Sequence, residues 1–264
     1  MQLDFDHGLL VGDERRSRHH RLQAAGAGLQ TLWTKGSRSN ARYLPSRRPQ
    51  TVLDIVEAAM TDVRPSHLLV ATTNPGKLDE IRVILGTLPL TIVTLADYPP
   101  IPEPEETGST FAENARLKAR CYAGATGELT VAEDSGLEID ALDGEPGVRS
   151  ARFNGESYAE KFATIQGMLA TRGTDSSTAR FVCALTLART DGIVWETIGV
   201  LEGRLRLPPR GDGGFGYDPI FYYPAYGRTL AEVTAEEKAA VSHRGQAFRA
   251  LRVYLERRLD GRAV

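Results

Sequence analysis

The stretch TTNPGK at residues 72–77 has features that could bind a phosphate group. It follows an apolar run at residues 68–71 and precedes a segment of helical periodicity, so we predict a turn between a strand and a helix. The first backbone N–H groups of a helix favour an anion, and Lys77 adds a positive charge. It is not a Walker loop, because Ala71 stands at the first glycine position and Leu78 follows the lysine. An ordinary strand–turn–helix corner is the alternative.

Carboxylates lie in two separate segments. Glu133 and Asp134 end a strand predicted over residues 128–136, and three glutamates, among them Glu106, lie in the proline-rich loop 98–108. Carboxylates from two segments could hold one Mg²⁺, which prefers oxygen ligands. One of them could also orient or deprotonate a water molecule. Surface acids at the end of a strand would give the same pattern.

Two further segments carry groups suited to a nucleobase. In GDGGFGYDP, residues 211–219, glycines surround Phe215, Tyr217 and Asp218. Glycines let the backbone approach a flat ligand, an aromatic ring can stack on a base, and a carboxylate can pair with ring N–H groups. Near the last predicted helix, Arg244 could donate two parallel hydrogen bonds to a carbonyl or phosphate. A glycine-rich hairpin turn is the alternative for residues 211–219.

The elements that must position these groups alternate between strand and helix periodicity, which predicts an α/β protein. Thr110 and Ser157 each stand three residues before a glutamate, the spacing of a capping box at a helix start. The predicted strands cover residues 68–71, 90–95, 128–136, 179–189 and 192–205, and the last two form a hairpin. The predicted helices cover residues 76–85, 110–123, 158–171 and 245–259, with a short helix after Thr234.

Composition excludes several classes of protein. The chain has 264 residues, 41% of them apolar, and a net charge of -2, so the whole chain is not a basic nucleic-acid binder. No run of about 18 apolar residues is present, and we therefore expect no membrane span. The chain has only two cysteines, and they lack metal-ligand spacing. A disulfide framework is therefore not expected, which favours a reducing, cytoplasmic location.

The first part of the chain differs from the rest. Eight arginines fall between Arg15 and Arg48, with no regular apolar spacing. We predict that residues 1–65 form a basic extension that is disordered or not native, with Met60 as a possible true start. Residues 66–262 then form the functional domain. A tail that binds nucleic acid is the alternative.

Six motifs occur in order between about residue 68 and residue 258: TTNPGK, FAENARLKA, AEDSGLEIDAL, GEPGVRSARF, GGFGYDPIF and EEKAAVSHRGQA. Together they closely resemble the inosine/xanthosine triphosphate pyrophosphatase family. The resemblance implies an elongated mixed β-sheet flanked by helices, with two lobes and an active-site cleft between them. It also implies a homodimer that hydrolyses ITP, dITP and XTP to the monophosphate and pyrophosphate with Mg²⁺.

The resemblance assigns roles to residues. Asp134 matches the catalytic acid that activates water and binds the metal, with Glu106 and Glu133 as further metal ligands. The residues matched to the substrate are Thr72, Thr73, Asn74, Pro75, Gly76, Lys77, Lys118, Ser135, Phe215, Gly216, Tyr217, Asp218, Lys238, His243 and Arg244. Two positions depart from the usual pattern, since Glu133 stands where many members have aspartate and Thr73 where a glycine is frequent. Rival functions are a pyrophosphatase for pyrimidine or modified nucleotides and a nucleotide sensor without turnover.

Overall fold

The computed structural model describes residues 66–86 and 88–261, and the predicted extension, residues 1–65, lies outside them. Within these ranges the strands are β1 His67–Val70, β2 Thr91–Thr94, β3 Leu129–Ile139, β4 Thr178–Arg189, β5 Gly192–Leu205, β6 Phe221–Tyr223 and β7 Arg228–Thr229. The α-helices are α1 Pro75–Leu85, α2 Phe111–Thr126, α3 Tyr158–Thr171, α4 Ala235–Val241 and α5 His243–Leu259. None of these helices combines the length and the apolar composition needed to cross a membrane.

The seven strands form one mixed sheet in the order β2-β1-β3-β4-β5-β6-β7. Strand β1 runs parallel to β2 and β3, and every other neighbouring pair is antiparallel. Strands β4 and β5 form the predicted hairpin, and the predicted α/β fold with a mixed sheet is confirmed.

Strand β3 is longer than predicted, and its acids lie in its middle rather than at its end. It pairs with β4 from Thr130 to Ile139, and this pairing extends the strand three residues beyond the predicted end at Gly136. On its other side, pairing with β1 stops at Val131 because β1 ends at Val70. One edge of β3 is therefore released just before the two acids, and this release opens the cleft.

Helices cover both faces of the sheet. On one face, Ile81 of α1 and Phe248 of α5 pack in the same hydrophobic cluster as Val131. On the other face, Ala119 of α2 packs with Ala132. Successive residues of a strand point to opposite faces, so the change of partner between Val131 and Ala132 follows from the strand period of two.

Two large hydrophobic clusters lie on either side of the acids. Val131 and Cys183 belong to the cluster under α1 and α5. Leu137 and Phe181, further along β3 and β4 respectively, belong to a second cluster with α3. The two lobes thus share these strands, and the carboxylates of β3 lie at their boundary.

Candidate active site

A cavity of about 280 Å³ lies at this boundary. It is lined by every residue predicted for the site except Pro75 and Gly76. The lining residues among the predicted set are Thr72, Thr73, Asn74, Lys77, Glu106, Lys118, Glu133, Asp134, Ser135, Phe215, Gly216, Tyr217, Asp218, Lys238, His243 and Arg244. Their roles in binding or catalysis stay predictions, but the fold brings the segments together.

The loop before α1 is shaped by helix capping. Asn74 is the N-cap residue, and its Oδ1 accepts a hydrogen bond from the backbone N–H of Lys77 at 3.1 Å. Pro75 follows as the first helical residue, where its missing N–H costs nothing. At Gly76, a Cβ atom would come within 3.0 Å of the Phe215 ring. The glycine therefore lets the predicted phosphate loop and base loop meet.

Asp134 faces α2, as its neighbour Ala132 does. Its Oδ2 accepts a hydrogen bond from Asn114 Nδ2, and its Oδ1 lies 3.1 Å from Lys118 Nζ. The same ammonium lies 2.7 Å from Glu106 Oε1, and Arg152 pairs with the other oxygen of Glu106. Burial raises the pKa of Glu106, but the hydrogen bond and charge of Lys118 outweigh it and hold that pKa below its ordinary value.

The pair of Glu106 and Asp134 fits a magnesium site, because both carboxylates already converge on one cation. Mg²⁺ is usually held by one or two carboxylates, with water and substrate phosphates completing its shell. Across the described residues, no group of three or more acidic, histidine or cysteine side chains is arranged to hold a metal ion. The predicted ligand role of Glu133 stays a prediction, and its contacts are of another kind.

Glu133 is the centre of a buried ion-pair network on the opposite face of β3. Its oxygens lie 2.9 and 3.0 Å from Arg244 Nε, and Oε1 is 3.1 Å from Lys77 Nζ. Cys183 Sγ donates to Oε2 at 2.9 Å. Burial alone raises the pKa of Glu133, but the charges of Arg244 and Lys77 overcome this effect and lower the pKa well below its ordinary range. The carboxylate is therefore ionised at neutral pH.

The network continues to the glycine-rich loop. Arg244 Nη1 lies 2.7 Å from Glu80 Oε2, and Lys238 Nζ lies 2.9 Å from Glu80 Oε1. Lys238 also pairs with Asp218 at 2.6 Å and sits 4.2 Å from the Phe215 ring centroid. Burial raises the pKa of Asp218 above its ordinary value despite the opposing charge of Lys238. Phe215 and two cations thus form one wall of the cavity.

Tyr217 and His243 complete this wall in different ways. The Tyr217 hydroxyl donates to the Ser150 carbonyl at 2.8 Å, so this side chain anchors the loop. The His243 ring stacks on Phe181 at 4.8 Å, and its buried Nδ1 has no hydrogen-bond partner within the part of the chain that the structure describes. Burial lowers the pKa of His243 well below its ordinary value, so the ring is neutral at pH 7. A neutral imidazole with a free polar atom can bind a ligand.

Sequence reasoning missed Glu80, Asn114 and Arg152 as site residues. Glu80 stands one helical turn after Lys77, and Asn114 one turn before Lys118, so helix periodicity places each beside a predicted residue. That spacing was the available signal for both. Arg152 meets Glu106 across 46 positions of the chain. No local pattern predicts such a contact.

These observations define the class of protein: an α/β protein with a charged cleft between two lobes. The chain belongs to the Ham1 family, whose model matches residues 68–254. It is 49% identical to the dITP/XTP pyrophosphatase of Exiguobacterium sibiricum over 190 residues, which is 71% of this chain and 96% of that relative. This confirms the family indicated by the six motifs.

Solved structures of Ham1 proteins are similar to this fold. A HAM1 protein from Coxiella burnetii superposes with a TM-score of 0.68 at 39% identity, covering 72% of this chain and 98% of that one. The Ham1 protein of Staphylococcus aureus gives a TM-score of 0.65 at 37% identity, with the same coverage of 72% and 98%. These similarities extend to the sheet and its flanking helices.

Proposed function

We propose that this protein hydrolyses the non-canonical purine nucleoside triphosphates ITP, dITP and XTP to the monophosphate and pyrophosphate, and so removes them from the nucleotide pool. One observation carries the proposal: a single cavity joins a cationic helix N-terminus, a carboxylate pair and an aromatic wall with a buried arginine. The printed name of the Exiguobacterium relative, dITP/XTP pyrophosphatase, supports the same substrates.

The phosphate end of the cavity is formed by the start of α1, Lys77 and Lys118. A nucleoside triphosphate carries about four negative charges, and these groups offset the charge that builds up as the α–β bond breaks. Asp134 accepts a proton from the attacking water. The water oxygen bonds to the α-phosphorus, the bond from that phosphorus to the bridging oxygen breaks, and pyrophosphate leaves as one unit.

Glu106 and Asp134 would hold Mg²⁺ at this end of the cavity. When bound, the ion supplies charge neutralisation to the triphosphate. Lys118, which lies between these two carboxylates, keeps them close to each other and to the phosphates. A homodimer and a cytoplasmic location complete the proposal. The homodimer rests on the family resemblance, and the location rests on the low cysteine content of the chain.

The end of the cavity lined by Arg244 and Phe215 selects the purine base by hydrogen bonding. Three of the five N–H donors of Arg244 are used by Glu133, Glu80 and Ser135, and two are left for a base. Hypoxanthine and xanthine present a 6-oxo acceptor to such donors, with Phe215 stacked on the ring. Adenine presents an amino group instead, and the resulting unpaired buried donors disfavour it strongly.

The test is pyrophosphate release by the full chain from ITP, XTP, dITP, ATP and GTP, each with and without Mg²⁺. We expect Mg²⁺-dependent release from the first three and little from ATP, which lacks the 6-oxo acceptor. We also expect little from GTP, because guanine carries a 2-amino group that hypoxanthine and xanthine lack. Release of orthophosphate instead of pyrophosphate, or equal turnover of all five nucleotides, would contradict the proposal. A pyrimidine triphosphate included in the same series distinguishes the rival pyrophosphatase class.

A further inference from the structure

We propose that Glu133 couples recognition of the base at Arg244 to the release of Lys77 at the phosphate end, so that the identity of the base controls the rate of hydrolysis and not only binding. This inference rests on the proposed function. It makes Glu133 a positioning residue, distinct from its neighbour Asp134 on the opposite face of β3.

The geometry is that of one carboxylate shared by two cations. The Glu133 side chain is 2% exposed, and its Oε1 contacts both Lys77 Nζ at 3.1 Å and Arg244 Nε at 2.9 Å. Cys183 Sγ and the same Arg244 Nε occupy Oε2. Lys77 belongs to the predicted phosphate loop and Arg244 to the base wall, so this carboxylate joins the two ends of the cavity.

Lys77 Nζ pairs with Oε1 of Glu133 at 3.1 Å, and an ammonium held in this ion pair is not directed at phosphate. A buried carboxylate needs at least one close cation, because removal of all its partners leaves an uncompensated charge. A 6-oxo base accepts hydrogen bonds from the two remaining Arg244 donors and keeps the guanidinium seated on Glu133. Arg244 and Cys183 then satisfy the carboxylate, and Lys77 is free to bind the triphosphate.

An adenine base has the opposite effect. Its amino group faces the Arg244 donors, and two donors cannot form a hydrogen bond with each other. The guanidinium therefore moves away from Glu133. The carboxylate then retains Lys77 as its counter-ion, and the ammonium stays away from the phosphates. A bound adenine nucleotide is therefore turned over slowly, and discrimination appears in the rate constant of the bound complex.

The test is single-turnover hydrolysis of ITP and ATP by the full chain at saturating enzyme with Mg²⁺. We compare the wild type, Glu133→Gln, Lys77→Met and the double variant. Loss of the shared charge in Glu133→Gln frees Lys77 for either base, so the ratio of the ITP rate to the ATP rate falls about tenfold or more, a typical coupling between two sites. Lys77→Met also lowers the ratio, and the double variant shows no further fall.

A matched control is Glu138→Gln on the same strand, whose partner Arg180 lies outside the cavity lining. The control keeps the wild-type ratio. If Glu133→Gln does not fold, Lys77→Met carries the test alone, because it removes the cation that pairs with Glu133, and the ratio again falls.

An unchanged ratio in Glu133→Gln, or in Lys77→Met where Glu133→Gln does not fold, overturns the inference alone. If a raised Mg²⁺ requirement accompanies the unchanged ratio in Glu133→Gln, Glu133 is a metal ligand instead. If the wild type releases no pyrophosphate from ITP, the proposed function fails and the inference fails with it.

Discussion

At the scale of single residues, two adjacent carboxylates have different surroundings. Glu133 points into the face under α1 and α5, where Arg244 and Lys77 contact it. Asp134 points into the face under α2, where Asn114 contacts it. The strand period of two directs their side chains to opposite faces of the sheet, so two adjacent residues that line one cavity have different contacts.

Asp134→Asn tests the role of the second carboxylate. We expect kcat for ITP to fall by about 10²- to 10⁴-fold, the usual contribution of a general base. Binding of ITP is largely retained, because the amide has the same shape and Lys77, Lys118 and Lys238 remain to offset the charge of the triphosphate. The measurement is kcat together with the Kd for ITP. Asp140→Asn, an exposed aspartate outside the cavity lining, is the control, and near-normal turnover by Asp134→Asn would refute the role.

The lowered pKa of Glu133 makes stability depend on pH. Because this pKa lies well below the ordinary value of 4.5, the unfolded chain binds more protons at this residue than the folded chain does. The stabilisation is complete above the ordinary pKa and is lost as pH falls below it toward the folded pKa.

Urea unfolding measures this loss. On acidification from about pH 5 to about pH 3, the free energy of unfolding should fall more steeply in the wild type than in Glu133→Gln, by at most about 1.4 kcal/mol per pH unit. Other carboxylates with lowered pKa values contribute equally to both proteins, so the difference isolates Glu133. Parallel curves for the two proteins would show that the buried ion pairs do not shift its titration.

At the scale of elements, local sequence signals predicted the helices, whereas pairing with a distant strand determined where β3 ends. The predicted bounds of α3 are those observed, because the capping box at Ser157 is a local contact. Helix α5 begins at His243, two residues before the predicted start, since Ser242 caps it. The end of β3 was predicted wrongly, because its extension depends on β4, a strand about forty residues further along the chain.

The candidate site shows the same contrast between local signals and contacts between distant parts of the chain. The motifs predicted the residues around the cavity, but not the ion pairs between them. Arg244 and Glu80 are 164 positions apart, and only the packing of α5 against α1 brings them together. Glu133 was predicted as a metal ligand together with Glu106 and Asp134, and this role stays a prediction. Its observed partners, Arg244 and Lys77, lie on the face of the sheet opposite Asp134.

Thr110→Ala tests how α2 is fixed. Thr110 Oγ1 accepts a hydrogen bond from the Glu113 N–H, and the Glu113 carboxylate accepts one from the Thr110 N–H. Loss of this N-cap should cost about 1 kcal/mol of unfolding free energy, measured by urea denaturation. The control is Thr171→Ala at the end of α3, where the exposed hydroxyl bonds only within its helix and the expected change is within about 0.5 kcal/mol. Equal effects of the two substitutions would show that the cap does not stabilise α2.

At the scale of the whole molecule, the cleft arises where parallel pairing ends and antiparallel pairing continues. Strand β1 leaves β3 at Val131 and turns into the loop of Asn74, while β4 stays paired with β3 along the acids. The start of α1, the middle of β3 and the start of α5 meet at that point, so the residues proposed to bind phosphate and those proposed to bind the base line one cavity. The mixed sheet is thus the feature that assembles the site.

The central claim is that this cavity directs water to the α-phosphorus of a purine triphosphate. Hydrolysis of ITP in water enriched in oxygen-18, followed by mass spectrometry of both products, tests it directly. We predict that one labelled oxygen enters the inosine monophosphate and that the pyrophosphate stays unlabelled. Label in the pyrophosphate, or release of labelled orthophosphate, would place the attack at another phosphorus and contradict the account.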